Sequence, residues 1–183
     1  VIAPGDPVES ALATRAIVRW SGPCFLQLTK AGDPVVHQTV PDFRIGKALQ
    51  IRDGNDITLV AIGGILSNTV LAAEQLKEHG FQARVLSMPT LKPIDTDAIL
   101  AAATETSAIM TIEEHSTIGG LGSAVAEILA ESGLSHCAFQ RLGVADVFCT
   151  EVGKHEYLQE IFSLSASGIF KNALSLCKAR RTL

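Results

Sequence analysis

Apolar and polar positions along the chain change period several times, and the changes mark the elements. Ile57–Ile62 is an almost wholly apolar run bounded by Asp53-Gly54-Asn55-Asp56, a strong turn, and by Gly63-Gly64, which reads as a buried strand. Leu66, Val70 and Ala73 then fall on one helical face while Glu74, Lys77 and Glu78 fall on the other, predicting a helix over 66–79 that Gly80 stops. The same alternation repeats. A strand over 83–88, a helix over 96–104 capped by Asp95, and a strand over 108–113 follow; the helix after Gly119-Gly120-Leu121-Gly122 carries Leu121, Val125, Ile128 and Leu129 as an apolar stripe. A strand over 137–142 and helices over 154–162 and 165–179 end the chain, and residues 47–52 alternate as one further strand. Strands apolar on both faces, separated by amphipathic helices, specify an α/β fold in which helices sandwich a mainly parallel sheet. Spacing alone pairs strands 47–52 and 57–62 as a hairpin.

The first 42 residues follow a different pattern. Asp6, Pro7 and Glu9 form a helix-start signature ahead of a helix over 6–20, and 24–28 reads as a short strand. Residues 29–42, with Gly32, Pro34 and Pro41, read as a linker. A lone helix and strand cannot bury their own faces, so 1–28 is expected to be the tail end of a preceding domain and 43–183 a domain of its own. The valine start, with no charged opening and long apolar core, fits a piece cut from something longer.

Composition narrows the function. With 47% hydrophobic and 19% charged residues the chain has the balance of a globular domain, and no apolar run reaches the roughly 20 residues of a membrane span. A net charge of -4 argues against nucleic acid as partner. Cys24, Cys137, Cys149 and Cys177 form no C-x-x-C pair, against a zinc knuckle or disulfide scaffold and in favour of a reducing cytoplasm.

Three constellations offer chemistry. Gly119-Gly120-Leu121-Gly122, opening a helix after a strand, could present backbone N–H groups to an anion; close packing of the helix start on the sheet is the favoured alternative. Glu113-Glu114-His115 stands at the carboxyl end of a parallel strand, where open α/β sheets place ligand contacts. Neighbours on a strand face opposite ways, which favours capping of the next helix or contact with a neighbouring domain over acid–base or metal work. Asp53-Gly54-Asn55 is explained as a turn. No H-E-x-x-H pair or G-x-S-x-G elbow supports a hydrolase, and Lys171, Lys178, Arg180 and Arg181 suit the negative end of a terminal helix.

Four segments resemble the C-terminal section of transketolase-like thiamine diphosphate enzymes: Val40–Ala48, Asp56–Gly63, Val85–Asp95 and, most specifically, Glu113-Glu114-His115-Ser116-Thr117-Ile118-Gly119-Gly120-Leu121-Gly122-Ser123-Ala124-Val125-Ala126-Glu127. Residues 1–30 are similar to the close of that family's pyrimidine-binding domain. Deoxyxylulose-phosphate synthases and 2-oxoacid dehydrogenase β subunits share such segments and stand as alternatives, as does a free-standing Rossmann-like interaction module. The resemblance implies a three-layer αβα sandwich whose five-stranded sheet has its first strand antiparallel and its third inserted between the first and second.

It further implies ketol transfer between sugar phosphates, as in the pentose phosphate pathway, by a homodimeric holoenzyme. Thiamine diphosphate and Mg would be bound by domains outside this chain, on the same polypeptide or on an N-terminal-section subunit, leaving this piece inert alone. The metal-binding Gly-Asp-Gly signature and the activating glutamate are absent from these residues. Lys30 stands where the family has a phosphate-contacting arginine, and Glu113, Glu114, His115, Gly119 and Gly120 are expected at an interface or channel rim.

Overall fold

The computed structural model describes residues 1–30, 32–134 and 136–181, so residue 31 of the linker, residue 135, the last two residues and the Arg181 side chain lie outside the described residues. Helix α1 (Pro7–Ile17) is shorter than expected. It opens on Asp6, whose carboxylate accepts from Glu9 N. The strand expected over 24–28 is a single bridge instead: Leu26 sits beside Ile2, with Ile2 N donating to Phe25 O and Gln27 N to Ile2 O at 2.9 and 2.8 Å.

Five strands follow, β1 (Leu49–Arg52), β2 (Ile57–Ile62), β3 (Ala83–Ser87), β4 (Ala108–Ser116) and β5 (Ala138–Val144), in the spatial order β1-β3-β2-β4-β5. All neighbours run parallel except β1, which is antiparallel to β3. This is the order the family resemblance implies. It overturns the hairpin that spacing suggested, because the turn at 53–56 leads the chain across the start of β3: a Cβ on Gly54 would stand 2.4 Å from Ala83 C, so the two backbones are in contact. β4 also runs three residues past the expected end, since Ser116 resumes pairing with Val144 after an irregularity in the register.

Helices α2 (Leu66–Glu78), α3 (Thr96–Glu105), α4 (Leu121–Ser132), α5 (His155–Ile161) and α6 (Ala166–Arg181) complete the fold. Gly63-Gly64 ends β2 as expected, and residues 63–65 form a 3-10 turn that runs directly into α2. α2 and α6 cover one sheet face, where Leu66, Ala73, Ile169 and Ala173 meet Leu59, Val85 and Met110. α3 and α4 cover the other, where Ile99, Ala103, Leu121 and Val125 meet Val60, Leu86 and Ile109. Every β2 residue but Ile62 is buried, as its unbroken apolar run requires for a central strand covered on both sides. Within the α4 stripe, Leu121 and Val125 are fully buried, while Ile128 and Leu129 are half-buried at the edge of the same core.

Residues 1–5 lie against the carboxyl ends of these strands. Ala3 N donates to Pro89 O, Leu91 N to Val1 O and Gly63 N to Ala3 O, at 2.8, 2.9 and 3.1 Å. Ile2 is thereby buried in the sandwich's upper end rather than left as an exposed tail.

Candidate functional site

β2 leads through α2 to β3 on one side, and β4 leads through α4 to β5 on the other. The crevice between β2 and β4 is therefore the point where the strand order reverses, the usual ligand position in open α/β sheets. A pocket of about 300 Å³ lies there. It is lined by Ile62 at the end of β2, Gly63 and Gly64 after it, and Glu113, Glu114 and His115 of β4; Gly119 and Gly120 form one wall, and Ala3, Pro4, Phe25 and Thr29 close it from the N-terminal segment.

Glu113 reaches back from β4 to the start of α4. Its Oε2 accepts from Leu121 N at 2.7 Å and its Oε1 from Gly122 N at 2.8 Å, in the place of an N-cap side chain that Gly120 cannot supply. The carboxylate is buried. Burial pushes its pKa up, against the opposing pull of the Gly122 and Leu121 N–H groups and the charges of His115 and Arg141. The N–H groups that could have received an anion are thus taken by the protein's own carboxylate.

Glu114, on the opposite face of β4, turns to α5: His155 Nε2 lies 2.5 Å from its Oε1, and Gln159 Nε2 donates to the same oxygen at 2.8 Å. This tie fixes α5, which has no buried residue, to the sheet end. His115 is exposed, with Nδ1 3.0 Å from Ser116 O. Glu113 and His115 thus share one side of β4, both lying beside Gly120, while Glu114 takes the other, as strand alternation requires.

Lys30 is exposed, next to pocket-lining Thr29, and forms no ion pair among the described residues. Thr29 Oγ1 donates to Asp33 Oδ2. Gly64 lies beside both, where a Cβ would stand 2.9 Å from Thr29 Cγ2 and 3.1 Å from Asp33 Oδ1.

One further cluster has no precursor in the sequence reading. Asp6, Glu9 and His37 bring one ligand-type atom each within 4.8 Å of one another. Asp6 and Glu9 read as a helix cap, and nothing in local pattern links them to a histidine about 30 positions on; only the fold does.

The family follows from fold and sequence together. Residues 46–169 match the model of the transketolase C-terminal domain, and the chain belongs to the transketolase family. A 6-deoxy-6-sulfo-D-fructose transketolase subunit, SqwH, of Clostridium sp. (strain MSTE9) is 39% identical over 92% of this chain and 52% of its own length. A putative transketolase C-terminal section of Methanocaldococcus jannaschii is 34% identical over 97% of this chain and 55% of its own. Among solved structures, a split-gene transketolase described as an inactive β4 tetramer superposes with a TM-score of 0.83 at 34% identity, over 97% of this chain and 56% of that one. The chain spans about half the length of these relatives. Among the described residues no helix is long and apolar enough to cross a membrane.

Proposed function

We propose that this chain is the C-terminal part of a thiamine-diphosphate-dependent transketolase-type enzyme that moves a two-carbon ketol unit between sugar phosphates. The single observation that carries this reading is the composite crevice: residues 1–29 and the carboxyl ends of β2 and β4 build one pocket together. A preceding domain ending near residue 28, a linker over 29–42 and a C-terminal domain from 43 would place that domain's last segment over the sheet's ligand-facing end.

The residues present do not fit thiamine diphosphate. The glycine turn that could cradle a diphosphate is filled by Glu113, a negative group, and no step through the cofactor is assigned to this chain. The cofactor and its Mg²⁺ then belong to the preceding part of the same polypeptide or to a separate N-terminal-section subunit. A relative named as a transketolase subunit and another named as a C-terminal section support the second arrangement.

Within the holoenzyme, Lys30 would meet the substrate phosphate as a point charge. Glu113, Glu114, His115, Gly119 and Gly120 would form the rim facing the partner polypeptide, in a homodimer. Four free cysteines suit a reducing, cytoplasmic setting.

Reconstitution tests the reading. The N-terminal section, thiamine diphosphate and Mg²⁺ are combined and ketol transfer is measured with and without this chain. Activity that needs the chain is the expected result; activity unchanged by its omission, or tight binding of the cofactor by this chain alone, overturns it. Lys30→Ala in the reconstituted enzyme should raise KM for phosphorylated sugars roughly tenfold, the scale of one charged hydrogen bond, and leave unphosphorylated sugars nearly unaffected.

A further inference from the structure

Ile2 is the inner member of a short ladder that joins the N-terminal segment to the sheet's upper end. On one side it faces Thr90 antiparallel, with Ala3 N donating to Pro89 O and Leu91 N to Val1 O. On the other it faces Leu26 parallel, with Ile2 N donating to Phe25 O at 2.9 Å and Gln27 N to Ile2 O at 2.8 Å. α1 makes the crossover that two parallel segments require. Both edges of Ile2 are taken, so on this side the ladder can grow only beyond Leu26.

Backbone groups alternate along an extended segment: Phe25 and Gln27 turn theirs to Ile2, and Leu26 and Leu28 turn theirs outward. Among the described residues the N–H groups of Leu26 and Leu28 have no hydrogen-bond partner. Nor is this edge protected, since Cys24-Phe25-Leu26-Gln27-Leu28-Thr29 carries neither the charge nor the proline by which exposed strand edges are usually blunted. Its faces are bare as well: Phe25 is 61% exposed, and Leu28, on the opposite face, 57%. A parallel pair uncovered on both faces and along one edge is an incomplete sheet.

We propose that the outer edge of residues 24–28 is a docking surface for the polypeptide that precedes this chain in the assembled enzyme, which lays a strand of its own beside Leu26 and continues the ladder. The proposal rests on the reading of residues 1–28 as the close of a preceding domain, and it names the seam as one shared sheet. Two observations choose this occupant over a second copy of the chain. The relatives matched over 52% and 55% of their lengths keep nearly half outside the match, enough for one more domain. The Ile2–Leu26 pair with its helical crossover is also the growth unit of a parallel sheet, which an upstream strand extends in kind; a symmetric pair of copies would join the same edge antiparallel.

Strand addition draws affinity from main-chain bonds and specificity from alternate side chains. Leu26 and Leu28 supply the outward main-chain groups, and Phe25 and Leu28 the apolar side chains on either face. The outward groups belong to different residues from those that bind Ile2, so the outer seam can be broken while the inner one stays intact.

Amide exchange resolved to single residues, on this chain alone and on the enzyme assembled with its preceding polypeptide, tests the seam without any variant. Gln27, bonded to Ile2 O, should be protected in both states. Leu26 and Leu28 should exchange freely in the chain alone and slow by roughly tenfold or more on assembly. Leu28→Pro removes an outward N–H at an exposed position; it should leave the chain's own thermal midpoint nearly unchanged and weaken affinity for the preceding polypeptide roughly tenfold. Leu28→Ala, which keeps the N–H, should weaken it less. Leu26 and Leu28 amides that stay fast in the assembled enzyme overturn the proposal, as does an affinity indifferent to Leu28→Pro. Protection in the chain alone that is lost on dilution also overturns it, by giving the edge to a second copy. Slowed amides in an assembly without ketol transfer would keep the seam and remove the functional reading; ketol transfer with fast amides would do the reverse.

Discussion

A methyl group on residue 120 would stand 1.9 Å from Glu113 Oε2, so the glycine at the start of α4 and the carboxylate at the end of β4 occupy a single shared space. Gly120 has ordinary extended angles, φ -100° and ψ -152°, and its lack of a side chain serves contact rather than backbone freedom. Gly120→Ala should therefore destabilise the chain by about 3 kcal/mol, within the range for overfilled cores. Glu113→Ala alone should cost about 2 kcal/mol by leaving Leu121 N and Gly122 N without their acceptor. The double variant should cost clearly less than the sum, because removing the carboxylate makes room for the methyl group. Urea unfolding of the four forms measures the cycle.

Glu113 also gives a pH signature. Its carboxyl is held above its ordinary value by burial, so its contribution to stability is complete below the unfolded value and is lost as pH rises through the folded one. Against Glu113→Gln, which does not titrate, the wild type should gain relative stability between about pH 7 and about pH 4.5. Urea midpoints at the two ends provide the comparison, other carboxylates cancelling in the difference.

At Gly54 the three nearest neighbours of a would-be Cβ are all backbone atoms: Ala83 C at 2.4 Å, Arg84 N at 2.5 Å and Gln82 O at 2.6 Å. Backbone cannot rotate away as a side chain can. Gly54→Ala should cost about 2–3 kcal/mol and loosen the β1–β3 pairing. Amide exchange at Gln50 and Leu86 would localise the effect, and uniform loosening of the whole sheet would count against the cause given.

Asp95 joins the residues entering β1 to α3. Its Oδ1 accepts from Ala98 N at 3.3 Å and from Lys47 Nζ at 3.1 Å, and its Oδ2 from Ala48 N at 2.9 Å. Asp95→Ala removes a helix cap and leaves the Ala48 N–H without an acceptor, for about 2 kcal/mol. Lys47→Ala removes a half-exposed lysine that pairs with Asp95 and Asp97, leaves Asp95 its two N–H donors, and should shift thermal unfolding far less. Equal shifts in the two variants would show that the ion pair, not the cap, dominates.

Much of the fold was legible because its strands are buried on both faces. The run Ile57–Ile62 could be little else than a central strand, and Asp95 and Asp6 announced their caps by position. What local pattern missed is non-local. The insertion of β3 between β1 and β2 depends on Gly54 meeting Ala83, and no periodicity reports that contact. The strand expected at 24–28 fails because, among the described residues, Leu26 has only Ile2 to pair with. Capping of the next helix was one reading of Glu113-Glu114-His115, and the fold gives it to Glu113; the cluster of Asp6, Glu9 and His37 joins positions whose sequence neighbourhoods give no hint of each other.

The direction of β1 has a consequence for how the whole enzyme would be threaded. Because Leu49 pairs with Ser87, the last residue of β3, the incoming chain joins the sheet at the end where the parallel strands finish. Were β1 parallel, the connection would first have to travel the height of the sheet, roughly 13 Å for four residues, and approach from the far pole. One reversed strand keeps entry path, crevice and upstream segment in the same hemisphere, so a short tether suffices.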